Sequence, residues 1–149
     1  MAAVSKLFYG RDRHATCAHP TISIDHSPPE VNRVHTKRFP YPGLGRCEAV
    51  VSDGMVYAVA TDPALSDEID AQTRNALLEL DRILANAGSD KAGLLQATVY
   101  LSDIKQKRAL DPIWIDWIGP EANWPQRACV GVDLDDGCLI EIVVTAKTL

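Results

Sequence analysis

The stretch "SDEIDAQTRNALLELDRILANAG" constrains the fold more than any other part of this sequence. Ile69, Thr73, Ala76, Leu77, Leu80, Ile83, Leu84 and Ala87 recur at intervals of three and four, which gather them into one apolar stripe on a helix. Ser66 is placed to cap the start, with Asp67 and Glu68 at the positive end and Gly88 closing it. Such a helix must bury its stripe against another layer. Before it comes "EAVVSDGMVYAVAT", two strand-like runs around Asp53-Gly54, a pair suited to a two-residue hairpin turn in which both positions need positive φ. After it comes "GLLQATVYLSD", with Leu95, Ala97, Val99 and Leu101 alternating with Gln96, Thr98 and Tyr100. Strand, helix and returning strand make a βαβ-like crossover.

A second helical spacing follows in Leu110, Ile113, Trp114, Trp117 and Ile118. Pro112 is tolerable only in a first turn, so this helix is expected to begin near Asp111, which could cap it. The chain then ends in an apolar pair of strands, "WPQRACVGVDLDDGCLIEIVV", read as a hairpin. The element order ββ-α-β-α-ββ predicts an α+β two-layer sandwich with two helices on one face of a mixed sheet. The other sheet face lacks helices to cover it, and a partner subunit could do so. The first forty-odd residues carry no period and repeated turn signals, so residues 1–45 are read as an irregular extension before a domain at 46–149, with a possible short strand in "NRVHTKRF".

At 149 residues one domain is expected, large enough to bury a core without disulfides or metal. A net charge of −5 works against nucleic-acid partners, which want a basic stripe. No apolar run approaches the roughly 18 residues of a membrane span. The basic start faintly imitates a transit peptide, but an untidy amino terminus of a cytoplasmic protein is the simpler reading. Cys17, Cys47, Cys129 and Cys138 lack paired spacing, which fits a reducing compartment. His14, Cys17, His19 and His26 cluster but match no established ligand set, so no metal is assigned.

The last hairpin holds the polar residues of interest. Arg127, Cys129, Gly131 and Asp133 alternate to one side, while Ala128, Val130, Val132 and Leu134 alternate to the other and read as core. A two-residue Asp136-Gly137 turn would push Glu141 into the apolar layer. A three-residue Asp135-Asp136-Gly137 loop would set Glu141 opposite Gly131, beside Arg127 and Cys129, and that register is preferred because an unpaired buried carboxylate is costly. The trio is then either a cross-strand ion pair on a solvated face or a notch, opened by Gly131, with a cation at its edge.

"RACVGVDL…LIEIVVTA", together with "AGSDKAGLLQATVYLSDI" and "AQTRNALLELDRIL", resembles the Rid family of YjgF-type reactive intermediate deaminases, once labelled translation-inhibitor endoribonucleases. The resemblance covers about Glu48 to Ala146. It implies a homotrimer of chorismate-mutase-like fold, sheets inward and helices outward, with clefts between subunits. It further implies that Arg127 holds a substrate carboxylate, that Glu141 and Cys129 line the cleft, and that enamines or imines such as 2-aminoacrylate are hydrolysed to 2-oxoacids and ammonia without metal or cofactor. Arg127 would anchor the carboxylate and Glu141 would shuttle protons. Cys129 reads as a wall, since no histidine in the matching region could activate it. Against the family's pattern, Val59 and Ala60 replace a "TSGQ"-like strand end, Arg46 stands near a site tyrosine's place, Asp111 replaces an asparagine and Trp114 a tyrosine. The turn before "LIEI" is one residue short. These differences imply a divergent branch with an altered pocket. Trp114 and Trp117 also read as core or subunit contact, and Tyr100 as a structural hydroxyl. The rival expectations are a catalytically silent trimer binding small carboxylates or proteins, and a ribonuclease, which the acidic charge opposes.

Overall fold

The computed structural model describes residues 35–43 and 45–149. The grouping of His14, Cys17, His19 and His26 lies outside them. Six strands form one mixed sheet in the order β1-β2-β3-β6-β4-β5: β1 (Lys37–Pro40), β2 (Cys47–Ser52), β3 (Met55–Thr61), β4 (Leu94–Leu101), β5 (Gln126–Gly131) and β6 (Ile140–Lys147). Two helices, α1 (Ile69–Asn86) and α2 (Lys107–Ile118), cover one face. The architecture is the expected two-layer α+β sandwich. β1 pairs antiparallel with β2, so the sheet reaches residue 37, inside the segment read as irregular.

The local expectations hold where turn chemistry and periodicity are strong. Asp53 and Gly54 have φ of 50° and 73°, and Ser52 pairs with Met55 across the tight turn. The α1 stripe is buried from Ile69 to Ala87, and Leu80 and Leu84 are wholly enclosed. Truncating such a leucine to alanine would cost about 2–5 kcal/mol. Ser66 does not cap α1; Glu68 stands at the cap position without a side-chain bond. Ser66 is held instead in a loop clamp. Its N–H donates to Asp62 Oδ2 at 2.9 Å and its carbonyl accepts from Gln72 Nε2 at 2.7 Å.

The second helix begins at Lys107, four residues before Asp111, so Asp111 lies within α2 and does not cap it. Pro112 therefore sits beyond the first turn. The carbonyl that loses its donor belongs to Arg108, an exposed residue whose carbonyl solvent can reach.

The closing hairpin is overturned. β5 and β6 do not pair with each other: β5 runs parallel to β4 at the sheet edge, and β6 lies between β3 and β4, antiparallel to both. The reason is burial. Ile140, Ile142, Val144 and Ala146 of β6 are at most 2% exposed, which demands a central position under the helices. The α2 crossover delivers β5 parallel to β4, so the chain holds two βαβ units.

This topology also reverses the expected faces. Arg127 and Cys129 register with Ala97 and Val99 and so share the helix side. Val130 registers with Tyr100 on the open side and is 41% exposed, against the core position its alternation suggests. The Gly131 notch is not open either: a Cβ there would stand 3.0 Å from Ile104 Cβ. Gly131 permits the close approach of Ile104.

Candidate functional site

The seven residues singled out in the sequence separate into two groups. Within one chain, Glu141 registers with Thr61 and Tyr100 on the open face, two strands from Arg127 and on the opposite side of the sheet. The expected meeting of Arg127, Cys129 and Glu141 does not occur in a single chain.

The first group is built by β5 and α2. Arg127 projects from the edge strand onto the helix, where its Nη2 donates to Asp111 Oδ1 at 2.6 Å. Its guanidinium carbon stands 5.0 Å from the centre of the Trp114 ring, within cation–π reach. Trp114 is 4% exposed and packs against Trp117 at 5.1 Å, and Trp117 Nε1 donates to Asp81 at 3.0 Å. Trp114 is thus core and platform at once. Lys107, one turn before Asp111, donates to the other carboxylate oxygen. Burial pushes the Asp111 carboxyl up, but the hydrogen bonds from Lys107 and Arg127 outweigh it and hold the group below its ordinary value. Arg127 Nη1 is buried and has no hydrogen-bond partner among the described residues.

Cys129 lies two residues further along the same side. Burial pushes its thiol up, and the nearby Arg127 and Lys107 offset this only in part. The neutral thiol is therefore favoured, which suits a pocket wall better than a nucleophile.

The second group lines a cleft of about 410 Å³ where β3 ends and β6 begins. Val59, Arg46 and Glu141 are in its wall, with Thr61, Tyr41 and Cys138. Arg46 is stacked 4.4 Å from the Tyr41 ring centre. Asp62 anchors the rim; it is 1% exposed and accepts from the N–H groups of Ala64 and Ser66 at 2.8 and 2.9 Å.

Two participants escaped the sequence reading. Lys107 was legible as the residue four before Asp111, a spacing that pairs opposite charges on a helix. Thr61 was not, because its place across from Glu141 depends on β6 entering beside β3.

The family model described as Endoribonuclease L-PSP matches residues 46–148. The chain belongs to this family, the YjgF/Rid group. A RutC family protein of Haemophilus ducreyi is 33% identical over 101 residues, which cover 66% of this chain and 86% of that one. A second RutC family protein, from Haemophilus influenzae, is 32% identical over 108 residues, or 70% of this chain and 92% of the relative. Among solved structures, a YjgF family member from Neisseria meningitidis superposes with a TM-score of 0.73 at 29% identity, covering 78% of this chain and 97% of the other. The YjgF/Rid fold accounts for the mixed sheet and both helices. Among the described residues, no helix is long and apolar enough to cross a membrane.

Proposed function

We propose that this YjgF/Rid protein is an enamine/imine deaminase-like hydrolase, acting on a small carboxylate-bearing substrate in clefts between the subunits of a homotrimer. The observation that carries the reading is the Arg127 guanidinium. It is fixed by Asp111 and Trp114; its Nη1 is buried, and a fifth of the side chain remains exposed. A guanidinium preset in this way can hold a carboxylate at low entropic cost. The open sheet face, with Tyr57, Val59 and Val130 between 39% and 50% exposed, supports packing against further copies. In such an assembly the Arg127 wall of one copy faces the Glu141 wall of the next, which a single chain cannot achieve.

The chemistry then runs through this chain's own groups. Arg127 anchors the substrate carboxylate. Glu141 accepts a proton from a water whose oxygen adds to the imine carbon and delivers it to the imine nitrogen, giving a carbinolamine. Glu141 then carries the carbinolamine hydroxyl proton to the amino nitrogen as the carbon–nitrogen bond breaks, so that ammonia leaves and a 2-oxoacid remains. Thr61, beside Glu141, offers the hydroxyl that Val59 lacks. Cys129 bounds the pocket. No metal or cofactor takes part in these steps. The free thiols of Cys47, Cys129 and Cys138 favour a cytoplasmic setting.

The rival reading, a catalytically silent trimer that binds small carboxylates or partner proteins, draws on the apolar Val59 and on the neutralising charge of Asp111. Ribonuclease chemistry is the poorer fit, because Asp133, Asp135 and Asp136 in the cleft repel a polyanion. The deciding assay follows 2-aminoacrylate, generated in situ by a dehydratase. Accelerated decay that Arg127→Ala abolishes supports the hydrolase. Binding of 2-oxobutyrate without turnover supports the silent trimer, and neither effect overturns both.

A further inference from the structure

The loop between β3 and α1 holds a backbone conformation that its sequence does not favour. Leu65 has a φ of 48°, in the left-handed region that residues with a bulky side chain rarely adopt. The surroundings impose it. Asp62, buried at the start of the loop, accepts from the N–H groups of Ala64 and Ser66, on either side of Leu65, at 2.8 and 2.9 Å. The Leu65 N–H closes the turn on the Asp62 carbonyl at 3.3 Å. Gln72, wholly buried, donates to the carbonyls of both Ser66 and Gly137 at 2.7 and 2.6 Å, which fastens this loop to the one before β6. Such strain persists only where the surroundings over-determine it, and it gathers at ligand clamps. The core does not need it, since Leu65 stays 47% exposed. It lines the cleft of about 410 Å³ with Val59, Ala60 and Leu134. A Cβ on Gly137 would stand 3.8 Å from Leu65 Cδ1, so the isobutyl group reaches across the rim to the loop before β6. A cleft of this volume is in the size range of ordinary small-molecule sites, which hold more than a three-carbon imine. Its wall carries both signs of charge, Arg46 together with Asp133, Asp135 and Asp136. The acids oppose an anionic tail and the arginine a cationic one.

We propose that Leu65 is a specificity-determining residue of this cleft: held in the left-handed conformation by Asp62 and Gln72, it forms with Val59 and Leu134 a subsite for an uncharged apolar side chain of the substrate. Imines with branched or long aliphatic tails are then preferred to 2-aminoacrylate. The subsite rests on the reading of a carboxylate-bearing substrate given above, whichever cation holds the carboxylate. Leu65 touches the tail and none of the reacting atoms.

The test measures, by titration calorimetry on the full chain, dissociation constants for four 2-oxoacids that differ in their tails. They are 2-oxobutyrate, 4-methyl-2-oxopentanoate, the anionic 2-oxoglutarate and the cationic 5-guanidino-2-oxopentanoate. The native chain is expected to bind 4-methyl-2-oxopentanoate about tenfold more tightly than 2-oxobutyrate, as two further buried carbons imply, and more tightly than either charged tail. Glycine accepts a positive φ without strain, so Leu65→Gly keeps the loop and removes the wall. It should shrink the tenfold ratio to about threefold or less. Leu65→Asn, also tolerant of this conformation, should do the same if glycine loosens the loop. Leu65→Met restores an apolar side chain and should restore the ratio. A merely structural role for Leu65 would move all four ligands together and leave the ratio as it was. Equal binding of 2-oxobutyrate and 4-methyl-2-oxopentanoate by the native chain, a ratio unchanged in both Leu65→Gly and Leu65→Asn, or tighter binding of a charged tail overturns the subsite and leaves the carboxylate-binding reading standing. If the native chain binds none of the four, that reading falls and the subsite falls with it.

Discussion

The two halves of the candidate site are built on different principles. The β5/α2 wall is a finished electrostatic object: Lys107, Asp111 and Arg127 are joined by hydrogen bonds and seated on Trp114. The β3/β6 wall is an open cleft, in which Val59 is apolar and Glu141 is held by strand register, with Asp62 bracing the loop at its rim. The first half is complete within one chain. The second has shape and a carboxylate but no cation bonded to Glu141 among the described residues. The contrast teaches that Arg127 and Glu141 stand on separate surfaces of one chain, so that the proposed function needs assembly to bring them into one site.

Mixing subunits tests this most severely. If each cleft takes one wall from each of two copies, Arg127→Ala and Glu141→Gln proteins are each inactive, yet unfolding and refolding them together restores up to about a quarter of the native deaminase rate, since half the chains supply each intact wall. A mixture as inactive as its components would place both residues in the same copy's site and end the comparison.

The next effect concerns the finished wall. Trp114→Ala removes a buried side chain and the platform beneath Arg127, and is expected to cost about 3–5 kcal/mol in urea unfolding. A loss below about 1 kcal/mol would mean that the platform is not part of the core.

The open wall should respond to acid. Burial pushes the Asp62 carboxyl up, but the hydrogen bonds from Ser66, Ala64 and Asn75 outweigh it and hold the group below its ordinary value. A carboxyl held down in the folded state contributes stability that is present above its unfolded pKa and is lost as pH falls through the folded one. Thermal melts between about pH 5 and 2 should therefore show a steeper loss for the native chain than for Asp62→Asn. At neutral pH the variant should be less stable by about 0.5–1.5 kcal/mol, because one part-buried backbone N–H loses its acceptor. Parallel pH profiles would remove Asp62 from the bracing role.

The smallest effect on stability belongs to Glu141. Its side chain has no ion pair or hydrogen bond among the described residues, so Glu141→Gln should shift unfolding by less than about 0.5 kcal/mol while abolishing turnover. A large destabilisation would show that Glu141 is structural and leave the proton shuttle unassigned.

Local chemistry by itself determined a good part of this protein. The three-and-four spacing from Ile69 to Ala87 specifies a helix with one buried side, and Asp53-Gly54 specifies a tight turn, because both signals act between residues a few positions apart. Family-bearing motifs pointed to Arg127, Cys129 and Glu141 as a set, and the chain does belong to that family. What the sequence could not decide was which strand lies beside which. β5 and β6 are neighbours along the chain and both alternate polar with apolar residues, so a hairpin satisfied every local rule. Only the demand of Ile140, Ile142, Val144 and Ala146 for cover on one face and partners on both edges put β6 at the centre. That choice turned Arg127 toward Asp111 and Trp114, and left Glu141 on the far side of the sheet. Strand pairing is settled by the burial of the whole layer, a quantity no short window of sequence contains.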